Sequence, residues 1–335
     1  MSLDIYSPDT PTEPVRPGDR MRLLEEKALA ALRSKLEPAG DDVQGVGLLE
    51  EHCCDLVFDC ADVLDLPLKG EMLSLEIPFF SLERKDLLPW SWISSDGNTS
   101  VQVACSQDGR ATMKDKDILI FCVSQIIAAL NMGAKPGRTL RFGARAFLQA
   151  TNRGTRGDDY RRLRDSLKRL KGTLVTVETR GKSTRSARQV SFIDEWSVLE
   201  KGEWQRVVTL EVTLSVWFFG LITKRSVLTI ERSYFSLGPL QRRLYEIARK
   251  HVGNQAQWQV SLEQLRNKTG SRVARIRKFE EKIQEIIDLD CIPVYRLSLI
   301  SSGQVKFYQK DQEKYARASF NALVPPVDKS RRMRG

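Results

Sequence analysis

Apolar and polar residues recur along this chain at both helical and strand spacings, a pattern that predicts a mixed α+β protein. Residues 118–132 are apolar almost all round, so they predict a buried helix with Asp117 as its N-terminal cap. Two further stretches are typical of strands, at 101–105 and at 73–82, where Pro78 indicates a sheet edge. A core built from both kinds of element is therefore expected.

One order of elements occurs twice along the chain. The first copy consists of helix 118–132, strand 139–142, helix 144–150, a turn at 152–157, a long helix at 158–171 capped by Asp158, and a hairpin of 173–179 with 189–199. The second copy consists of helix 237–251, strand 258–260, helix 262–268, a turn at 269–270, a long helix at 272–288, and a hairpin of 292–300 with 304–309. A short helix, a tight turn and a long helix followed by a hairpin are typical of the winged helix, so two winged-helix domains in tandem are predicted.

This pattern divides the chain into segments. The predicted divisions are an acidic N-terminal extension at 1–68 that is partly disordered and partly helical at 19–36, a first winged-helix domain at 69–212, a second at 213–310, and a basic C-terminal tail at 311–335. The fold class expected is α+β.

Charge is concentrated in one part of the sequence. The net charge is +10, and residues 138–190 carry 15 Lys and Arg against 4 Asp and Glu, so the remainder is close to neutral. The first sixty residues are acidic, with 13 Asp and Glu against 6 Lys and Arg. A basic block within a near-neutral chain indicates a polyanionic partner.

The helix predicted at 158–171 separates apolar from cationic residues. At about 100° per residue, Leu163, Leu167 and Leu170 form one stripe and the cations lie opposite. Such a helix suits the major groove of double-stranded DNA. The candidate DNA-binding residues of the first domain, on the turn, the helix and the hairpin tip, are Arg153, Arg156, Tyr160, Arg161, Arg164, Lys168, Lys171, Arg180, Lys182, Arg185 and Arg188. The alternative is a solvated charged face, against which stand the few acids available for pairing and the basic surroundings.

The second long helix has its cations at the entry and its acids further on. This arrangement opposes the helix dipole, by roughly 0.3–1 kcal/mol per charge, and so favours an anionic ligand over a chance distribution of surface charge. The candidate DNA-binding residues of the second domain are Lys268, Arg272, Arg275, Arg277 and Lys278.

Signatures of a catalytic or metal site are missing from the sequence. The six cysteines form no CxxC pair, and the spacing of His52, Cys53, Cys54 and Cys60 matches no common zinc pattern, so reduced thiols and no cofactor are expected. No GxxxxGK[ST] loop is present, and the two histidines stand far apart, which argues against an NTPase or a rolling-circle nuclease. A tyrosine recombinase is compatible with the composition, but no Arg/His/Tyr constellation indicates one.

The chain also lacks signals for export or membrane insertion. The first residues contain acids and no basic or apolar signal region, and the longest apolar run, 118–130, is shorter than the about 20 residues of a membrane span. A cytoplasmic protein without a membrane partner is expected.

Several segments resemble the replication initiator protein A family of bacterial plasmids. They are LSLEIPFFSLERK (73–85), DKDILIFCVSQIIAALN (115–131), ATNRGTRGDDYRRLRDSLKRLKGT (150–173), VTLEVTLSVW (208–217) and PLQRRLYEIARKHVG (239–253). The turn from Thr151 to Gly157 and the following helix match the strongest motif, although Arg156 stands where a smaller residue, commonly glycine, is expected.

The resemblance implies a tandem winged-helix initiator that binds repeated double-stranded DNA sites, called iterons, at a plasmid origin. It further implies opening of adjacent AT-rich DNA, contact with the host initiator and replicative helicase, and a monomer–dimer equilibrium in which dimers repress the gene or couple origins. A transcriptional repressor without an initiation role would use the same DNA-binding parts, and a protein that coats DNA without sequence preference is a third possibility.

Overall fold

The computed structural model describes residues 57–60, 66–93, 98–180, 185–201, 207–253, 255–300 and 303–311. The helix predicted at 19–36, the cluster His52, Cys53 and Cys54, and nearly all of the predicted extension and tail lie outside these ranges. No helix in the described ranges combines the length and the hydropathy that crossing a bilayer requires.

The first half of the described chain is a mixed array of helices and strands. Its elements are β1 (Val57–Asp59), β2 (Leu68–Glu71), α1 (Met72–Glu76), β3 (Trp90–Ile93), β4 (Thr99–Ala104), α2 (Lys116–Asn131), β5 (Thr139–Gly143), α3 (Ala144–Ala150), α4 (Gly157–Gly172), β6 (Leu174–Arg180), β7 (Arg185–Ser191), β8 (Ile193–Lys201), β9 (Val207–Leu214) and α5 (Val216–Thr223). One sheet has the order β1-β5-β9-β8, with only the β1–β5 pair parallel, and an antiparallel sheet has the order β3-β4-β6-β7.

The second half is smaller and repeats part of this order. Its elements are β10 (Val227–Ile230), a 3-10 helix (Arg232–Ser236), α6 (Pro239–His251), β11 (Gln257–Ser261), α7 (Leu262–Thr269), α8 (Ile276–Leu289), β12 (Tyr295–Ile300) and β13 (Gln304–Gln309). An antiparallel sheet has the order β11-β13-β12. Strand β10 pairs with β2 from the first half, so backbone hydrogen bonds join the two halves.

Helix α2 lies between two hydrophobic clusters. Most of its residues are buried, but Ile120 belongs to the cluster of the second half while its neighbours Leu119 and Phe121 belong to that of the first. Helix α5 packs in the first cluster through Trp217 and Phe218. Along the chain, residues up to α5 therefore pack in the first cluster and most of those after it pack in the second. The domain boundary predicted at 212–213 stays a prediction.

Two sequence predictions near the start of the described chain are wrong. Residues 73–82 form no strand, because the buried Glu71 carboxylate accepts hydrogen bonds from the backbone N–H groups of Leu73 and Ser74 and begins α1. Asp117 is not the cap of α2, which begins one residue earlier. The Asp117 side chain is instead bound by arginines from outside the helix.

Two other predicted elements have different limits. Residues 189–199 are not one strand, because the chain changes sheets at Phe192: β7 pairs with β6, whereas β8 pairs with β9. The long helix expected from residue 272 begins at Ile276, after an extended Arg275. The hairpin of β6 with β7 and the phase of both long helices are confirmed.

Buried ion pairs hold the two halves together. Lys116 on α2 contacts Glu246 on α6 at 2.7 Å, and the Asp117 carboxylate binds Arg242 on α6 at 2.5 Å and Arg153 at 2.8 Å. Arg243 donates hydrogen bonds to the backbone carbonyls that end α1. Charged groups removed from water need such partners, so this contact surface is specific in its geometry.

Glu76 at the end of α1 is the second centre of this network. Its carboxylate lies 2.6 Å from Lys268, 3.0 Å from Lys250 and 3.1 Å from His251. Burial alone would raise the pKa of Glu76, but these neighbours outweigh it and hold the pKa well below its usual value. Burial lowers the pKa of His251, against the attraction of Glu76.

Replacing Leu167 by Asp should prevent the first half from folding, because the side chain is fully buried on α4. Leu167→Ala should lower the free energy of unfolding by about 2–5 kcal/mol. Urea unfolding followed by circular dichroism measures both. The matched control is Leu289→Asp, where the native side chain is 67% exposed. A cooperative transition of Leu167→Asp at the wild-type midpoint would contradict the assigned helix phase.

Replacing Glu76 by Gln should lower the free energy of unfolding at pH 7 by about 3–5 kcal/mol, since buried cations lose their counter-ion. The folded-state pKa of Glu76 is depressed, so its contribution is present above the unfolded value of about 4.3 and is lost as pH falls below it. Urea unfolding from pH 3 to pH 7 should therefore show the difference from wild type shrinking in acid. Glu281→Gln, at an exposed position of α8, should show little change at any pH. A difference independent of pH would argue against an ionised Glu76.

Candidate nucleic-acid interface

Helix α4 turns one face to the protein and the other to solvent. Leu163, Leu167 and Leu170 are each no more than 1% exposed, as their spacing predicts. Four cations on the outward face are exposed, namely Arg161, Arg164, Lys168 and Lys171. The predicted orientation of this helix is confirmed, and it offers a row of positive groups one turn apart.

These cations have more acidic neighbours than the sequence suggested. Arg161 pairs with Asp158 at 2.8 Å, Arg162 with Asp159 at 3.2 Å, and Lys168 with Asp165 at 3.8 Å. Each pair spans three residues on the helix surface. Exposed pairs of this kind stabilise a helix by only about 0.3–0.5 kcal/mol, so a DNA phosphate can compete for the cation.

The turn before α4 is fixed by an acid from inside the helix. Arg156 is the N-terminal cap residue, and its backbone N–H donates to the Asp159 carboxylate at 3.1 Å. Asp158, predicted as the cap, lies instead within the first turn. A Cβ at Gly154 would come 2.4 Å from the Asp159 carboxylate, so any other residue there would displace that carboxylate.

Two candidate residues of the first half face inward. Arg153 binds Asp117 and the Lys114 carbonyl, and its guanidinium lies 5.5 Å from the centre of the Phe147 ring. Tyr160 is half-buried against the first hydrophobic cluster. These contacts hold the Arg153 side chain against the protein, and its role in DNA binding stays a prediction.

The hairpin of β6 and β7 lies beside α4 and carries exposed cations. Arg180 ends β6, and Arg188 on β7 pairs across the hairpin with Val177. Arg185 is opposite Arg180 in the backbone register. Lys182 at the tip lies outside the described residues, as does the side chain of Arg185.

The second half has the same order of a short helix, a turn and a long helix, with fewer exposed candidate cations. Helix α7 ends at Gly270, whose φ of +69° is left-handed, and a Cβ there would come 2.8 Å from Pro78. Helix α8 buries Phe279, Ile283 and Ile286. The tight turn therefore lies against the first half, and the opposite face of α8 is open to solvent.

Candidate cations of the second half divide into two groups. Lys268 is buried on Glu76, and Arg272 binds the Asp86 carboxylate and the carbonyls of Leu88 and Pro89. Lys268 therefore lies inside the protein, contrary to its predicted place at the DNA surface, whereas Arg272 is exposed and its role in DNA binding stays a prediction. Arg275, Arg277 and Lys278 are exposed, and the last two pair with Glu281 at 3.6 and 2.7 Å.

The sequence analysis did not predict the buried ion pairs that hold α4 and the turn before α8 in place. Arg169 on the inner flank of α4 makes two 2.8 Å hydrogen bonds to the buried Asp115 carboxylate. Asp86 is shared by Arg110 and Arg272. The only signal in the sequence was the presence of acids in otherwise apolar stretches, which does not identify a partner.

Comparison with known proteins agrees with this architecture. The replication initiator protein A family matches residues 69–297. A protein of Wigglesworthia glossinidia brevipalpis, named as a replication protein, is 30% identical over 244 residues, which cover 72% of this chain and 88% of that protein.

Solved structures agree on the fold. A crystal structure of domains 2 and 3 of RctB superposes with a TM-score of 0.55 at 14% identity, covering 71% of this chain and 98% of that one. A second RctB structure of these domains gives a TM-score of 0.50 at 13% identity, with 74% and 100% covered. The family matches this chain over most of the described residues. This chain is a member of the replication initiator protein A family.

Proposed function

We propose that this protein initiates plasmid replication by binding repeated double-stranded DNA sites at the origin through two winged-helix halves. The row of exposed cations on α4, opposite a fully buried leucine stripe, is the observation that carries the proposal. Arginine in the major groove can bind guanine while its neighbours bind phosphates. The basic hairpin of β6 and β7 would follow the DNA backbone or reach the adjacent minor groove.

The second half would contribute a separate contact. Arg275, Arg277 and Lys278 lie at the start of α8, next to the tight turn that follows α7. Their position agrees with the entry of a recognition helix into a groove. Lys268 and Arg272 would act indirectly, by fixing this turn on the first half.

Family membership supports the steps that follow binding. We propose that the bound protein promotes opening of AT-rich DNA, brings in the host initiator and replicative helicase, and represses its own gene as a dimer. The role proposed is one of binding without catalysis and without a cofactor. A transcriptional repressor is the alternative, since the same helices would serve it.

Charge reversal at Arg161 and Arg164 should abolish origin binding without changing the unfolding midpoint, because both side chains are exposed. Footprinting and filter binding with the upstream DNA of the gene measure the loss. Wild-type affinity should fall with salt at a log–log slope of about −0.9 per phosphate neutralised. Lys224→Glu, at an exposed position after α5, is the matched control. A normal footprint from the double variant, or a slope near zero, would refute this use of α4.

Opening of the origin separates an initiator from a repressor. On supercoiled DNA that carries the upstream region, the wild-type protein should make the AT-rich stretch reactive to permanganate, and the Arg161 and Arg164 double variant should not. Binding without reactive thymines, in the presence of the host initiator, would favour the repressor. Lys224→Glu should behave as wild type.

A further inference from the structure

A cleft of about 610 Å³ opens beside the inner flank of α4, at the junction of the two halves. Its walls come from the 82–84 segment, the residues before α2, the turn before α4, α4 itself and the start of α6. Arg84, Lys114, Arg153 and Arg242 all line this cleft. The groove contacts proposed for α4 use its outward face, whereas the cleft lies along its inner flank.

Two of these cations share a single counter-ion. Arg153 and Arg242 both bind the Asp117 carboxylate, at 2.8 and 2.5 Å. Arg242 also donates to the carbonyls of Phe235 and Leu237, so its guanidinium is held rigidly. One carboxylate balances one of the two charges, and the excess positive charge is fixed in the cleft wall.

The other two cations, Lys114 and Arg84, have side chains without a bonded partner among the described residues. Among the residues that the structure describes, neither Lys114 nor Arg84 makes a side-chain hydrogen bond or ion pair. Partial burial, together with the neighbouring Arg242 and Arg153, lowers the pKa of the Lys114 ammonium against the attraction of Asp117. An additional anion at this position would relieve that repulsion.

The other acids of the cleft are mostly paired with cations of α4, of which Arg162 and Arg169 also line the cleft. Asp115 is bound by Arg169 through both carboxylate oxygens, and Asp159 accepts from Arg162 and from the backbone of Arg156. Asp165 lies 3.8 Å from Lys168. Glu83 also lines the cleft, at an exposed position.

We propose that this cleft binds a phosphate group, with Lys114 and Arg84 as hydrogen-bond donors and with Arg153 and Arg242 as fixed positive charges behind them. A phosphate offers several acceptor oxygens and up to two negative charges, which suits a site with flexible donors and excess fixed charge. The phosphate belongs either to a small phosphorylated molecule or to the DNA backbone. The DNA source rests on the proposed function, whereas the small-molecule source does not.

Pyrophosphate binding by the full chain without DNA tests the small-molecule source. Isothermal titration at constant ionic strength should detect binding by wild type, and a Lys114→Gln, Arg84→Gln double variant should bind at least tenfold more weakly. The matched control is Lys224→Gln with Arg225→Gln, two exposed cations that do not line the cleft. The melting temperature of each variant without ligand reports whether it folds.

Origin binding by the same proteins tests the DNA source. If the cleft holds a backbone phosphate, the double variant should lose affinity and its salt slope should become shallower by about 0.9. Loss of pyrophosphate binding with an unchanged slope assigns the site to a small molecule. If wild type itself does not bind the origin, the proposed function fails, and the pyrophosphate titration alone tests the small-molecule source. The proposal would be overturned if wild type and the double variant bound pyrophosphate equally well, or if neither bound it, and if their salt slopes were also the same.

Discussion

Three consecutive residues at the start of α2 determine how the rest of the molecule is arranged. Asp115, Lys116 and Asp117 are each no more than 2% exposed, and together they bind α4, the turn before it and α6. Asp115 binds Arg169 of α4, Lys116 binds Glu246 of α6, and Asp117 binds the turn before α4 as well as Arg242. Buried charges tolerate few alternative partners, because an unpaired one costs several kcal/mol. One helix end therefore fixes both the basic helix α4 of the first half and the junction with the second.

This arrangement explains why the exposed face of α4 can be so basic. The helix is held from behind by leucines and by Arg169, so the outward cations contribute little to keeping it in place. Their weak pairs with Asp158 and Asp165 neutralise part of the charge in the absence of DNA. The residues that position α4 are thus different from those proposed to contact DNA, as expected where a binding surface stays unchanged between free and bound states.

Local patterns in the sequence predicted the elements that depend on residues near in sequence. They failed where a side chain is bound by a partner far away in the chain. The phase of α4 follows from three leucines at helical spacing, and the hairpin after it from alternation. The strand expected at 73–82 was wrong because one carboxylate, Glu71, starts a helix there. Lys268 and Arg272 were assigned to the surface, yet their acids lie 192 and 186 residues earlier in the chain, a separation that periodicity does not reveal. The resemblance to a family gave the function class but not these contacts.

The contact between Gly270 and Pro78 brings the tight turn of the second half onto the first with no room for a side chain between them. Together with the pairing of β2 and β10, it sets one angle and one separation for α4 and α8. If both helices contact DNA as proposed, their fixed offset would set a distance along the duplex. A repeat read by both would need its two parts at a set distance and on a set side of the double helix. The spacing within each repeat would then be as much a part of the recognised signal as its bases.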